Sequence, residues 1–199
     1  MDLRSHAAPV LGTALLLELT RRYTEPQRHY HGLPHIAWML DEARQVALSD
    51  EQVLAIWFHD AVYDPLARDN EEQSAALAVE RLRAFGHPED SVRRVERIVL
   101  DTKTHIPSDA ASALVIDLDL ASLALPRAAF ERNGAKIRAE YEAFDDLTFS
   151  AGRKAFMEAF LARERIYWTP WGAPLEAAAR ENLRLDLALL DAALSRSTS

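Results

Sequence analysis

The chain contains no cysteine. A disulfide framework and a thiolate-ligated metal site are both excluded, so any bound metal must be held by His, Asp, Glu and water. Glycine is scarce, with 6 residues among 199. Ala, Leu, Glu and Arg are abundant, a balance that favours helices over strands joined by tight turns. Basic charge is not in excess, because the formal net charge is -8 at pH 7. A protein that neutralises the phosphates of a nucleic-acid polymer needs a basic face, so no such polymer is expected as a partner. A small phosphorylated molecule can still be held by a local cluster or a metal. No apolar run is long enough to span a bilayer, and no membrane partner is expected. The N-terminal stretch MDLRSHAAPVLGTALLLEL has an apolar run of signal-peptide length, but Glu18, Arg21 and Arg22 follow it closely. It reads as an amphipathic helix rather than a leader, which makes the cytoplasm the expected location.

What is present is enough apolar side chain, 49% of the residues, for a full core. The length fits one domain. The dominant period is helical. Residues 10–22 offer a stripe of Leu11, Ala14, Leu15 and Leu19. Pro34 fits the first turn of a second helix running through Ile36, Met39, Leu40, Ala43 and Val46. Ser49 and Gln52 form a capping-box pattern for a third helix, which carries LAIWFHDAVY and is expected to stop near Pro65. Further helices are expected over EEQSAALAVERLRAF, from Glu89 to Thr104, in the apolar piece SALVIDLDLASLA, from Pro126 through PRAAFERNGAKIRAEYEAF, from a cap at Ser150 to Tyr167, and from Leu175 onward. No strand pair, internal repeat or low-complexity segment is visible. The expected fold is all-α: one domain over residues 1–199, with a core at about 20–125 and C-terminal helices at about 126–195.

Several ionisable residues interrupt these apolar helices. His35 opens the second helix, His59 and Asp60 sit in the third, and Asp117 and Asp119 lie within ALVIDLDLASLA. A buried charge costs on the order of several kcal/mol unless it is paired or bound to a metal. Two imidazoles and two carboxylates gathered from three helices suit a divalent cation with positions left for water and a substrate oxygen. Each residue also has a plainer reading. His35 can be a cap, His59–Asp60 a buried hydrogen bond, and an Asp in a helix a cap for its neighbour. Asp117 and Asp119 are about 200° apart on a helix, and spacing alone does not choose between them.

The order of these residues, a His, then a His-Asp doublet, then a distant Asp, resembles the HD superfamily of metal-dependent phosphohydrolases. The segments RHYHGLPHIAWML, AIWFHDAVYD, DNEEQSA, IVLDTKTH, IDLDLASLA, IRAEYEAF, GRKAFMEAFLARERIY and EAAARENL resemble a bacterial branch of predicted HD-type phosphohydrolases. The resemblance runs over roughly residues 20–185, and implies an HD-type helical bundle. It implies metal ligation by His35, His59, Asp60 and Asp119, with Asp117 left to orient a ligand or cap a helix. One departure stands in FERNGAKIRAEY, where Phe130 and Asn133 occupy places at which tyrosines are expected. If those positions touch substrate, the substrate differs.

Further candidates follow with the same resemblance in view. His31 is separated from His35 by Gly32 and Pro34, so the two do not share a helix face, yet His31 can reach the site as an outer ligand or a phosphate donor. Asp64, placed one turn after Asp60, can orient a ligand histidine or activate water. Glu71 and Glu72 open a helix, where acids favour the dipole, and at least one is expected to face the metal cleft. Glu72 is therefore a candidate general base with Asp64. Lys103 and Arg138 are candidate phosphate contacts, and the resemblance implies that His105 contacts the substrate phosphate or a second metal. Arg138 shares a helix face with Tyr141, and for Arg153 a salt bridge is an equal alternative. His6, His29 and His87 read as surface residues.

The implied activity is hydrolysis of a small phosphate ester, nucleotides among the candidates, with a divalent ion (Mn, Mg, Co, Ni, Zn or Fe) lowering the pKa of bound water. Asp60 would serve both as ligand and as orienter of the attacking water. The alternative is a non-catalytic HD module that binds a metal or nucleotide and regulates. A homodimer is compatible with the sequence, although no apolar face for it can be picked out.

Overall fold

A computed structural model describes the backbone of residues 3–197 and the side chains of residues 10–195. Among them every regular element is a helix. In chain order these are α1 (Leu3–Arg22), α2 (Leu33–Glu42), α3 (Asp50–Phe58), α4 (Asn70–Ala84), α5 (Glu89–Thr102), α6 (Ala110–Leu120), α7 (Arg127–Glu140), α8 (Asp146–Leu161) and α9 (Glu176–Ser197). Single 3₁₀ turns lie at Ala43–Gln45, Ala121–Ala124 and Ala173–Leu175. The all-α expectation holds. No described helix is long and apolar enough to cross a membrane. The chain divides into two compact units, Met1–Asp119 and Leu120–Ser199.

The first unit is built around α3. Leu54, Ala55, Ile56, Trp57 and Phe58 are fully buried, so this helix is apolar on every side, as a central helix must be. It packs against α1, α2, α4 and α5. Its start is the expected capping box: Ser49 Oγ accepts from the Gln52 N–H, and Gln52 Oε1 accepts from the Ser49 N–H. Gln52 also donates from Nε2 to the Ala111 carbonyl, 3.0 Å away, tying α3 to α6. Between α4 and α5 the chain reverses through Gly86 (φ 78), with the Gly86 and His87 N–H groups closing on the carbonyls of Arg83 and Leu82. This is the left-handed helix stop that glycine permits.

Four expectations for this unit need correction. Helix α2 ends at Glu42 rather than running through Val46, because Ala43–Gln45 tighten into a 3₁₀ turn and Val46 is extended. Helix α3 ends at Phe58 rather than near Pro65. Beyond it the backbone is satisfied by side chains: Arg28 binds the carbonyls of Asp60 and Ala61, Ser74 binds both polar groups of Val62, and Asn70 binds both of Asp64. Helix α5 stops at Thr102, two residues early, where the Thr102 hydroxyl turns back to the Val99 carbonyl. In α1, Ala14 is exposed and the buried stripe is Leu11, Leu15, Leu16 and Leu19, with Tyr23 buried just past its end. Ala14 is one 100° step from Leu15 on the side away from Leu16 and Leu19, and Gly12, with φ 69 and ψ 162, breaks the helix ahead of this stretch.

In the second unit, Pro126 precedes α7 as expected. Helix α7 stops at Glu140 rather than at Phe144. Helix α8 begins at Asp146 rather than after Ser150, because the Asp145 carboxylate accepts the Thr148 N–H at 2.7 Å and acts as the cap, and it ends at Leu161 rather than at Tyr167. Asp186 on α9 receives Arg153 from α8 (2.8 Å) and Arg127 from α7 (3.3 Å). Asn182 binds the carbonyls of Leu123 and Leu125, each at 2.9 Å. Polar side chains of α9 thus hold the backbone and side chains of its neighbours.

Candidate metal centre

His35 enters from the first turn of α2, whose start is fixed by Pro34 and by the His35 N–H on the Gly32 carbonyl. His59 is the C-cap of α3. Asp119 lies near the end of α6, a helix capped by Asp109, whose carboxylate accepts the Ala111 and Ser112 N–H groups. These three elements bring one ligand atom each from His35, His59 and Asp119 within 4.8 Å of one another. His35 Nε2 is 3.0 Å from Asp119 Oδ1, and His59 Nε2 is 3.7 Å from the same oxygen. Asp60 adjoins the group, with Oδ2 3.1 Å from His59 Nε2.

The orientation of His59 is set by its other nitrogen. Nδ1 lies 2.8 Å from the Ile56 carbonyl oxygen. A carbonyl only accepts, so Nδ1 carries a hydrogen and Nε2 is the nitrogen directed into the cluster. That atom is buried and, despite its distance from Asp60, has no aligned hydrogen bond. Two carboxylates therefore crowd an imidazole nitrogen that has no well-formed partner. Burial works to lower the His59 pKa, but the charge and close oxygen of Asp60 and the charge of Asp119 outweigh it and raise the value to about 9. Burial likewise pushes both carboxyls up, and is overcome. His59 and then His31 hold Asp60 well below the usual carboxylate range, while His105, His35 and His59 do so for Asp119. The site attracts positive charge.

These donors fit a divalent cation. The set is imidazole and carboxylate without thiolate, the nitrogen of His59 is oriented by a carbonyl behind it, and two carboxylates, Asp60 and Asp119, lie beside that buried nitrogen. Of the two aspartates left open by spacing, Asp119 is the one beside His35 and His59. Asp117 is fully buried.

His105 also reaches the cluster, its Nε2 3.4 Å from Asp119 Oδ2. Its φ of 53 makes it the one non-glycine residue with positive φ among the described residues, a conformation that carries strain and concentrates at functional sites. The loop holding it is closed by Asp101, whose Oδ2 accepts the Ser108 N–H at 2.8 Å and the Ser108 hydroxyl at 2.6 Å. His31 is half-buried at the rim, stacked on Tyr63 with ring centres 4.4 Å apart and edge-on to His35 at 6.3 Å. Trp38 stacks on His35 at 6.4 Å, and Tyr30 lies 5.1 Å from it.

Other candidates are engaged elsewhere. Asp64 and Asp60 do not share a helix face, because α3 has ended before either. The Asp64 carboxylate is exposed and accepts the Leu66 N–H at 2.8 Å, shaping the turn that follows. Glu72 is exposed and paired with Lys103, which also donates to the Arg68 carbonyl at 2.9 Å. The hydrogen bond from Lys103 lowers the Glu72 pKa. Neither Glu71 nor Glu72 belongs to the ligand group among the described residues. Arg138 lies in the second unit, bound to Asp146 and to the carbonyls of Tyr141 and Phe144, where it closes the α7–α8 connection. Arg153 takes its salt-bridge alternative on Asp186. His29 is exposed, His87 is half-buried, and the side chain of His6 lies outside the described residues.

The sequence reading passed over Arg28 and Tyr23, both buried next to the doublet. Their only signal was position: Arg28 opens the RHYHGLPH segment, and Tyr23 lies just past the end of α1. Compared with models of protein families, with curated protein sequences and with solved structures, the chain gives no significant match.

Proposed function

We propose that this protein is a metal-dependent phosphohydrolase of HD type, acting on a small phosphate ester with nucleotides among the candidates. The observation that carries this reading is the convergence of His35, His59 and Asp119, with Asp60 beside them and His59 Nε2 turned inward without an aligned partner. The order of these residues along the chain, which resembles the HD pattern, is the second support. A divalent ion bound there would act as a Lewis acid toward a phosphoryl oxygen and make water a better nucleophile at neutral pH.

The side chains divide the remaining work. Asp60 has two oxygens, so one can face the cation while the other accepts a hydrogen bond from the attacking water and orients it. Water adds at phosphorus, the ester P–O bond breaks, and the proton lost by water leaves with the alcohol. His105 stands beside Asp119 at the edge of the cluster, where its ring can lie near a bound phosphoryl group. His31, Tyr30 and Trp38 form an aromatic rim against which the rest of a substrate can rest.

The test is turnover by chelator-stripped protein reloaded in turn with Mn²⁺, Co²⁺, Ni²⁺, Mg²⁺ and Zn²⁺. The substrates are a monoester, a diester and a panel of nucleotides. Hydrolysis by one loaded form, lost in His59→Ala and Asp60→Ala, supports the reading. Stoichiometric metal binding with no ester turned over favours a regulatory binding module instead. One observation speaks for that second reading: both non-ligand carboxylates considered as general bases, Asp64 and Glu72, are occupied by the Leu66 N–H and by Lys103.

A further inference from the structure

Arg28 is a deeply enclosed cation of the first unit, its side chain 1% exposed. It sits in the loop between α1 and α2, outside the ligand set, and its guanidinium has four partners. Nε donates to Glu25 Oε2 at 3.0 Å. Nη1 donates to the carbonyls of His31 at 3.0 Å and Asp60 at 2.6 Å, and Nη2 donates to the Ala61 carbonyl at 3.2 Å. The rings of Tyr23 and Tyr63 flank it, 5.1 and 5.5 Å from the guanidinium carbon. Burying a guanidinium is costly unless hydrogen bonds and opposing charge compensate it. Here most of that compensation is spent on three backbone carbonyls from two segments far apart in the chain.

Those segments are the ones that launch the metal-site side chains. The His31 carbonyl belongs to the loop that delivers His35, and the Asp60 and Ala61 carbonyls belong to the doublet itself. Asp60 is held at its other end too, its N–H donating to the Tyr23 hydroxyl at 3.2 Å. With N–H and carbonyl both fixed, the direction in which the Asp60 side chain leaves the backbone is fixed outside any regular helix. The loop is packed to allow this. A Cβ on Gly32 would come within 3.3 Å of the Arg28 carbonyl and 3.2 Å of the Tyr23 carbonyl.

We infer that Arg28 is a positioning residue which, with Tyr23, locks the backbone of Asp60 against the His35 loop and so sets the spacing of the metal ligands. The inference rests on the metal-site reading above. Arginine is required because one planar fork must reach three carbonyls; a lysine keeps the charge and loses the fork.

The test is titration of metal-free protein with Co²⁺ alone, followed by calorimetry and by the visible absorption of bound Co²⁺, which reports coordination geometry. Arg28→Lys and Tyr23→Phe are compared with wild type and with Arg81→Ala. The last breaks the Arg81–Glu18 pair and controls for destabilisation in general. Residues that orient ligands cost about 10–100-fold in metal affinity when replaced. We expect Arg28→Lys to weaken Co²⁺ binding within that range and change its spectrum, Tyr23→Phe to do so by a smaller factor, and Arg81→Ala to do neither. If Arg28→Lys does not fold, Tyr23→Phe, which removes one oxygen atom, decides alone. Wild-type affinity and spectrum in the folded variants, or an equal loss in Arg81→Ala, overturn the inference. Absence of Co²⁺ binding by wild type is a different result, and overturns the metal-site reading with it.

Discussion

His59 Nδ1 lies 2.8 Å from the carbonyl oxygen of Ile56, three residues earlier in the same chain. The last turn of α3 thereby fixes the ring of the residue that caps it. The carbonyl fixes the tautomer, the tautomer leaves Nε2 for the cluster, and Nε2 meets Asp60 and Asp119. A buried helix ending in an ionisable pair is consistent once the direction of that nitrogen is known.

His59→Ala and Asp119→Ala should each abolish stoichiometric Co²⁺ binding, measured by calorimetry and elemental analysis. Asp117→Asn should retain binding within a few-fold, because Asp119 and not Asp117 is the carboxylate near His35 and His59. Any loss there should appear in thermal stability, since Asp117 is fully buried.

Stability of the metal-free protein should fall as pH rises. The His59 pKa is raised in the fold to about 9, above its ordinary value of about 6.5. Protonation therefore favours the folded state, and the contribution is complete below about 6.5 and lost as pH climbs through about 9. The lowered pKa of Asp60 acts at the acid end, where its contribution is lost as pH falls below the ordinary carboxylate range. Thermal melts between pH 6 and 9.5 check the alkaline arm. Metal must displace the His59 proton, so Co²⁺ affinity should rise over the same interval in which the metal-free melting temperature drops.

Asp64→Asn and Asp60→Asn should separate. Asp60 abuts His59, and its replacement should reduce phosphate-ester turnover by about 10²-fold or more. Asp64→Asn keeps an oxygen able to accept the Leu66 N–H and should leave turnover within a few-fold. Single-turnover and steady-state assays of both variants with the best metal provide the comparison.

Gly12→Ala should destabilise the protein without touching the site. No atom would lie within 4 Å of the added Cβ, but φ is 69, a value that strains any L side chain. The cost should be on the order of 1–3 kcal/mol, or roughly 2–4 °C in melting temperature per kcal/mol at this chain length. Co²⁺ affinity should be unchanged.

The sequence by itself determined the helices and most of their buried faces. Leu15, Leu19, Ile36, Met39, Val92, Val95 and Ile98 were legible because a 3.6-residue period is a local property. Ser49, Gln52 and Pro34 marked helix starts for the same reason. Order and chemistry drew attention to His35, His59, Asp60, Asp117 and Asp119, while the choice of Asp119 over Asp117 came from the resemblance to the HD pattern and not from spacing. Only the tertiary structure decided where α3 ends, because Phe58 is followed by backbone groups satisfied by Arg28, Ser74 and Asn70, two of them distant in the chain. It decided that Asp145 rather than Ser150 caps α8, a choice between two plausible oxygen donors settled by which carboxylate meets the Thr148 N–H. It also assigned Asp64, Glu72, Arg138 and Arg153 to local bonds, since a charged side chain takes the nearest buried or oriented partner, and that partner is identified by distance in space. The same reason hid Arg28: its role lies in carbonyls some thirty positions further along the chain, brought to it only by the packing of the loop against the end of α3.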